Sequence, residues 1–242
     1  MLAIRHAALN DVGRLHQDND DRWYADPEIG LYFVTDGMAN KATPDFIVET
    51  LPSLIHEEIN AQVADLANAN LAGLLQSLLA SLNDRVRQLL YQTACYNLGA
   101  TLVLALVRGG VALLAHLGDS RIYLHRGGQL LQLTRDHSVV QNMIDNGMLT
   151  QAQAVASHGN GGPTRFIGMA GLAMADVRQL TLLPGDRLLL CSDGLTEMLY
   201  DEDVLAILNK SSVLQDACRH LVDAANVAGG YDNITVMLIA AD

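Results

Sequence analysis

Aromatic residues make up only 5% of the 242-residue chain, so its core must be built from aliphatic side chains. There are 5 prolines and no Pro-rich linker, and the 20 glycines show no period. That excludes a collagen-like or low-complexity chain. Cysteine is scarce: Cys95, Cys191 and Cys218 form no Cys-x-x-Cys pair. Such a sparse, odd set argues against a disulfide scaffold and for a reduced, cytoplasmic compartment. Cations are few, with 15 Lys and Arg against 27 Asp and Glu and a net charge of −12. A nucleic-acid binder needs a basic footprint, and an anionic membrane would repel this chain. Apolar runs such as 100–107 fall far short of the ~20 residues of a membrane helix. No basic segment followed by an apolar one opens the sequence.

Half the residues are hydrophobic and 17% are charged, which is a globular composition. A chain of this length can bury roughly 70–75% of its unfolded surface and needs no disulfide to fold. No composition break separates domains, so residues 1–242 read as a single unit. A β-rich run, 31–35, ends in Asp36-Gly37. Helices are expected from Pro44 and over 61–91. Apolar runs 100–107 and 111–117 flank Arg108-Gly109-Gly110, and 121–125 and 129–133 flank Arg126-Gly127-Gly128. Both read as hairpins. A helix over 139–144 stops at Asn146-Gly147, and Thr150-x-x-Gln153 is a capping box. A Gly-rich loop covers 158–163. A strand over 187–191, helices over 201–208 and 214–227, and a strand over 234–240 complete the pattern. Antiparallel hairpins with grouped helices imply an α+β domain of packed layers.

Aspartates sit at the mouths of these strands. They occur in Val34-Thr35-Asp36-Gly37, Leu117-Gly118-Asp119-Ser120, Cys191-Ser192-Asp193-Gly194 and Tyr231-Asp232-Asn233, with Asn19-Asp20-Asp21 ahead of the first run. Turn chemistry explains any one of them. Together they predict more. If the strands lie side by side, the carboxylates share one site, and packed like charges cost several kcal/mol unless neutralised. A hard divalent cation such as Mg²⁺ or Mn²⁺ does that, and a pair of such ions can activate water against a phosphoryl group. Other chemistries lack their residues. Arg stands six places after none of the cysteines, where Thr101, Glu197 and Ala224 are found. P-loop, Gly-x-Ser-x-Gly and His-Glu-x-x-His motifs are absent.

In chain order these motifs resemble the metal-dependent serine/threonine protein phosphatases of type 2C, the PPM family. The resemblance adds Gly99-Ala100-Thr101, Gly118-Asp119-Ser120-Arg121 with Tyr123, Leu133-Thr134-Arg135-Asp136-His137-Ser138, Ser192-Asp193-Gly194-Leu195 and Asp232-Asn233-Ile234-Thr235, and it spans nearly the whole chain. It implies a four-layer αββα sandwich, two packed antiparallel sheets flanked by helices, forming a single-domain bacterial catalytic form over 1–242. It implies two Mn²⁺ or Mg²⁺ ions in the main centre, bridged by Asp36 and completed by the Gly37 carbonyl, Asp193 and Asp232. Asp20 and Asp21 would hold metal-bound water. Asp119 resembles a ligand of a third, weaker site, with Asp193 shared and Glu197 nearby. The implied activity is hydrolysis of phosphoserine or phosphothreonine in proteins by a metal-bridging hydroxide, reversing a bacterial Ser/Thr kinase. A cytoplasmic monomer acting on phosphoproteins, without nucleic acid or membrane insertion, is expected.

Two positions depart from the family pattern. Its phosphate-gripping Arg is replaced by His16, and Arg14 lies two residues earlier, so either is a candidate phosphate contact. Ala39-Asn40-Lys41 replaces the usual Gly-Gly-His segment. His137 reads as part of a structural motif. The residues alone leave open a non-catalytic phosphoprotein-binding relative, an enzyme for small phosphorylated metabolites, and a purely structural acidic domain whose aspartates only make turns.

Overall fold

The computed structural model describes residues 2–39, 41–60, 71–93, 98–156, 161–171 and 173–242. Asn40, Cys95, His158 and the 61–70 portion of the expected helix lie outside them. In chain order the elements begin with β1 (Ile4–Asp11), β2 (Arg22–Asp26), β3 (Leu31–Thr35), α1 (Ala42–Ile55) and α2 (Leu71–Gln92). A π-helical turn, His56–Asn60, extends α1. The hairpins follow as β4 (Leu102–Arg108), β5 (Val111–Leu117), β6 (Arg121–Arg126) and β7 (Gln129–Gln132). Then come α3 (Val139–Asp145), α4 (Gln151–Ala156), β8 (Asp176–Thr181), β9 (Arg187–Cys191) and α5 (Asp193–Thr196). The last elements are α6 (Asp201–Lys210), α7 (Leu214–Ala228) and β10 (Ile234–Ala241).

Two five-stranded sheets result, ordered β1-β10-β9-β6-β7 and β2-β3-β4-β5-β8, and every strand pair is antiparallel. The two hairpins foreseen in the sequence fall in different sheets. β4 and β5 pair in one and β6 and β7 in the other, so residues 118–120 cross between them.

Alternation explains the layers. In β10, Met237 and Ile239 face the other sheet and pack with Val34, Val103, Ile122 and Leu190. Val236 and Leu238 face outward onto Cys218, Leu221 and Val222 of α7. A strand buried on both faces reads as a continuous apolar run. On the other side Phe33, Leu104 and Leu106 pack under Ile47 and Leu51 of α1 and Leu75, Leu79 and Leu82 of α2. The α7 positions Leu214, Ala217, Cys218, Leu221, Val222 and Ala225 recur at helical spacing and are buried. The architecture is the expected αββα sandwich. The capping box also forms: the Thr150 N–H donates to Gln153 Oε1 at 2.9 Å, and the Gln153 N–H to Thr150 Oγ1 at 3.3 Å. Tyr200 occupies the N-cap position of α6 without a side-chain capping bond, and Asp201 sits in the first turn.

Candidate metal centre

The ends of β3, β5 and β9 and the start of β10 meet at one edge of the sandwich, and each carries an aspartate. After β3, the Thr101 N–H donates to the Asp36 carbonyl and the Met38 N–H to the Gly99 carbonyl, both at 2.9 Å. Thr35 Oγ1 donates to the Thr101 carbonyl at 2.7 Å. These bonds fix Asp36-Gly37 beside the start of β4. After β5, Ser120 Oγ meets Thr101 Oγ1 at 2.6 Å. After β9, Asp193 opens the single turn of α5, where the Glu197 N–H donates to the Asp193 carbonyl at 2.8 Å. Gly194 is needed there, because a Cβ would stand 2.0 Å from the Asn233 carbonyl oxygen.

A cavity of about 480 Å³ opens between these ends, lined by Asp20, Asp36, Gly37, Asp119, Asp193 and Asp232 together with His16 and Asp18. Asp21 lies behind the wall at 1% exposure. Its Oδ2 accepts from Ser192 Oγ and Thr235 Oγ1, both at 2.7 Å.

The carboxylates crowd one another. Burial, then the charges of Asp193, Asp21, Asp119 and Asp232, hold the Asp36 carboxyl well above the usual range. Asp193 is raised well above it by burial and by Asp119, Glu197 and Asp232. Burial is also the main cause that pushes Asp21 and Asp119 up to about 7. Asp20 is raised by burial and by Asp18. Asp119 is 1% exposed, yet neither of its carboxylate oxygens bonds another residue. A buried carboxylate without a partner costs several kcal/mol, and a cation removes that cost. The donor set is all oxygen, which suits Mg²⁺ or Mn²⁺ over softer metals.

The model of the family "Protein phosphatase 2C" matches residues 11–228. The chain belongs to the protein phosphatase 2C family. It is a metal-dependent serine/threonine protein phosphatase. The serine/threonine phosphatase stp of Listeria monocytogenes is 30% identical over 238 residues, 96% of this chain and 94% of that one. PstP of Mycobacterium tuberculosis is 34% identical over 243 residues, 98% of this chain but 45% of that protein, so this chain spans under half of it. The solved PstP catalytic domain, in complex with two manganese ions, superposes with a TM-score of 0.85 at 28% identity, covering 100% of this chain and 99% of that one.

In this phosphatase the two phosphate-contact candidates are separated. His16 lines the cavity, with Nε2 3.4 Å from Asp232 Oδ1. Arg14 is exposed and is not a cavity-lining residue; its backbone N–H donates to the Gly230 carbonyl at 2.7 Å. Lys41 is exposed. Sequence reasoning gave no role to Asn233, which organises the phosphatase's 12–20 arm. Its Nδ2 donates to the carbonyls of Val12 and Asp18 at 2.9 and 3.1 Å, and its Oδ1 accepts from the Asp20 N–H at 2.7 Å. Ser192 and Thr235, the anchors of Asp21, were also without a role. The only signal for all three was their place in short motifs that carry an aspartate.

Proposed function

We propose that residues 1–242 form one catalytic domain that removes phosphate from serine or threonine in proteins, reversing a Ser/Thr kinase, as a cytoplasmic monomer. The observation that carries this reading is the convergence of Asp36, Asp119, Asp193 and Asp232 on one cavity. No helix among the described residues is long and apolar enough to cross a membrane.

Asp36, the Gly37 carbonyl, Asp193 and Asp232 would hold two ions, Asp119 with Asp193 would hold a third, and Asp20 and Asp21 would act through water. Bound Mn²⁺ or Mg²⁺ would supply the Lewis acidity that activates water and offsets charge on the phosphoryl oxygens. The protein's part is to fix these carboxylates before substrate arrives. Thr101 and Gly99 set Asp36, α5 sets Asp193, and Asn233 carries the arm that brings His16 to the cavity. A thiol nucleophile does not compete among the described residues: Cys191 and Cys218 are buried, which pushes both thiols up to about 12.

The test compares kcat/KM for a phosphothreonine peptide with that for a sugar phosphate, both in Mn²⁺. The peptide should be preferred by at least about tenfold. Preference for the sugar phosphate would move the substrate class to metabolites.

The position of His16 carries a second expectation. His16→Ala should raise KM for the phosphopeptide several-fold, His16→Arg should lower it, and Arg14→Ala should leave it within about twofold, because a guanidinium at the cavity wall can grip phosphate in fork geometry. A large KM change in Arg14→Ala alone would assign the phosphate contact to Arg14.

A further inference from the structure

Gly118 and His137 hold each other at two points. The Gly118 N–H donates to His137 Nδ1 at 3.2 Å, and the His137 N–H donates to the Gly118 carbonyl at 2.9 Å. Gly118 immediately precedes Asp119. The Asp119 carboxylate bonds no other residue, so its direction is set by the backbone that carries it. That backbone is unusual. Gly118 has φ of +112°, and a Cβ there would meet Thr101 Cγ2 at 2.5 Å.

The hydrogen bonds also define the state of the ring. A lone pair must face the Gly118 N–H, so the ring proton belongs on Nε2. Nε2 lies 3.3 Å from Arg165 Nη1 and 3.4 Å from Asp176 Oδ2, and Arg165 Nη1 also holds Asp176 Oδ1 at 3.3 Å. His116 stacks on His137 with centroids 4.5 Å apart, and its own Nε2 donates to the Arg135 carbonyl at 2.9 Å. Burial, His116 and Arg165 push the His137 ring down to about 4, so it is a neutral acceptor at working pH.

His116, His137 and Asp176 also place ligand atoms within 4.8 Å of one another, a spacing a metal could use. The bonds assign the cluster otherwise. A metal at Nε2, with Nδ1 still accepting from Gly118, would need a ring stripped of both protons. The Arg165 cation also stands 3.3 Å from that nitrogen.

We propose that His137 is a positioning residue: its Nδ1 accepts from the Gly118 N–H, its own N–H holds the Gly118 carbonyl, and these two bonds fix the Gly118 peptide and aim the Asp119 carboxylate into the metal cavity. The inference rests on the reading of Asp119 as a ligand of the weaker metal site.

Three substitutions test it. In His137→Asn the amide oxygen can stand where Nδ1 stood. In His137→Gln the amide reaches toward the Nε2 position instead, and His137→Phe keeps the ring without an acceptor. In metal-free protein, exchange of the Gly118 amide proton should speed up about tenfold or more in Gln and Phe and stay near wild type in Asn. In Mn²⁺ titrations, Gln and Phe should weaken the weaker binding step about 10–100-fold, the scale for loss of an outer-shell partner, while the tight step survives. Their kcat should fall with KM little changed, and Asn should restore kcat. Should Phe not fold, the Asn and Gln pair still decides. A Gln protein with wild-type Gly118 exchange and weak-step affinity, or an Asn protein as impaired as Gln, would overturn the proposal. Asp119→Asn is the control: if it leaves the weaker step intact, the reading of Asp119 fails while the exchange data still judge the Gly118 grip.

Discussion

Replacing Asp193 by asparagine is expected to lower turnover of a phosphothreonine peptide by about 10³-fold while the fold survives, the scale for removing a preorganised charged group from an active site. Asp193 is the electrostatic hub of the cavity. Asp119, Glu197, Asp232 and Asp21 all act on its carboxyl, and it in turn acts on Asp36. Asparagine is nearly isosteric and leaves the α5 backbone and the Gly194 packing unchanged. The variant therefore removes one negative charge and little else. Without metal that charge is repelled by its neighbours, so the metal-free Asp193→Asn protein should melt higher than metal-free wild type. Steady-state kinetics in saturating Mn²⁺ and thermal melts in EDTA give both readouts. A variant with near-normal turnover would remove Asp193 from the metal centre.

Metal-free protein is expected to be more stable at pH 5 than at pH 7.5, the reverse of most acid-sensitive domains. Asp21 and Asp119 titrate at about 7 in the folded protein, and Asp36 and Asp193 are also raised. In the unfolded chain all four would titrate near ~4. Between about 4 and 7 the folded state therefore binds more protons, and stability falls as pH rises through that window. His137, held down to about 4, acts in the opposite sense between about 4 and 6.5, and His116 is lowered too. These imidazoles are outweighed by four carboxyls. Mn²⁺ replaces the protons, so its effect should grow with pH. At about 100 times its Kd, a ligand contributes about 2.7 kcal/mol, which for a chain of this size raises Tm by roughly 5–10 °C. Melts in EDTA and in Mn²⁺ from pH 5 to 8 measure this. A metal-free Tm that climbs with pH would mean the acids are not crowded as described.

The central strands were legible because burial on both faces writes them as apolar runs; β10 has all eight residues buried. The strands that sequence reasoning missed, β1, β2 and β8, are all sheet edges. Asp176–Thr181, with three of its six residues charged or amide, carries too little apolar pattern to be told from a loop. β7 is also an edge, but its Gly127-Gly128 turn gave it away. The aspartates were legible because each follows or precedes such a run. Their convergence was not: nothing in 31–36 or 187–193 says that the two strands end side by side. The family resemblance supplied that order. The choice between Arg14 and His16 was closed to the sequence because the 12–20 arm is shaped by Asn233, 215 and 221 positions from the carbonyls it holds. The grip of His137 on Gly118 was hidden for the same reason, since it joins β5 to a loop beyond the second hairpin.

The most direct measurement is a Mn²⁺ titration of EDTA-stripped protein by calorimetry, with phosphothreonine-peptide hydrolysis followed in the same samples. Tight binding of two ions is expected, with turnover absent before they bind, rising as they fill the site and lost again on chelation. Asp36→Asn should lose both the binding and the turnover. Turnover that persists in excess chelator, or tight Mn²⁺ binding that Asp36→Asn leaves untouched, would contradict a metal centre built on the aspartates at these strand ends.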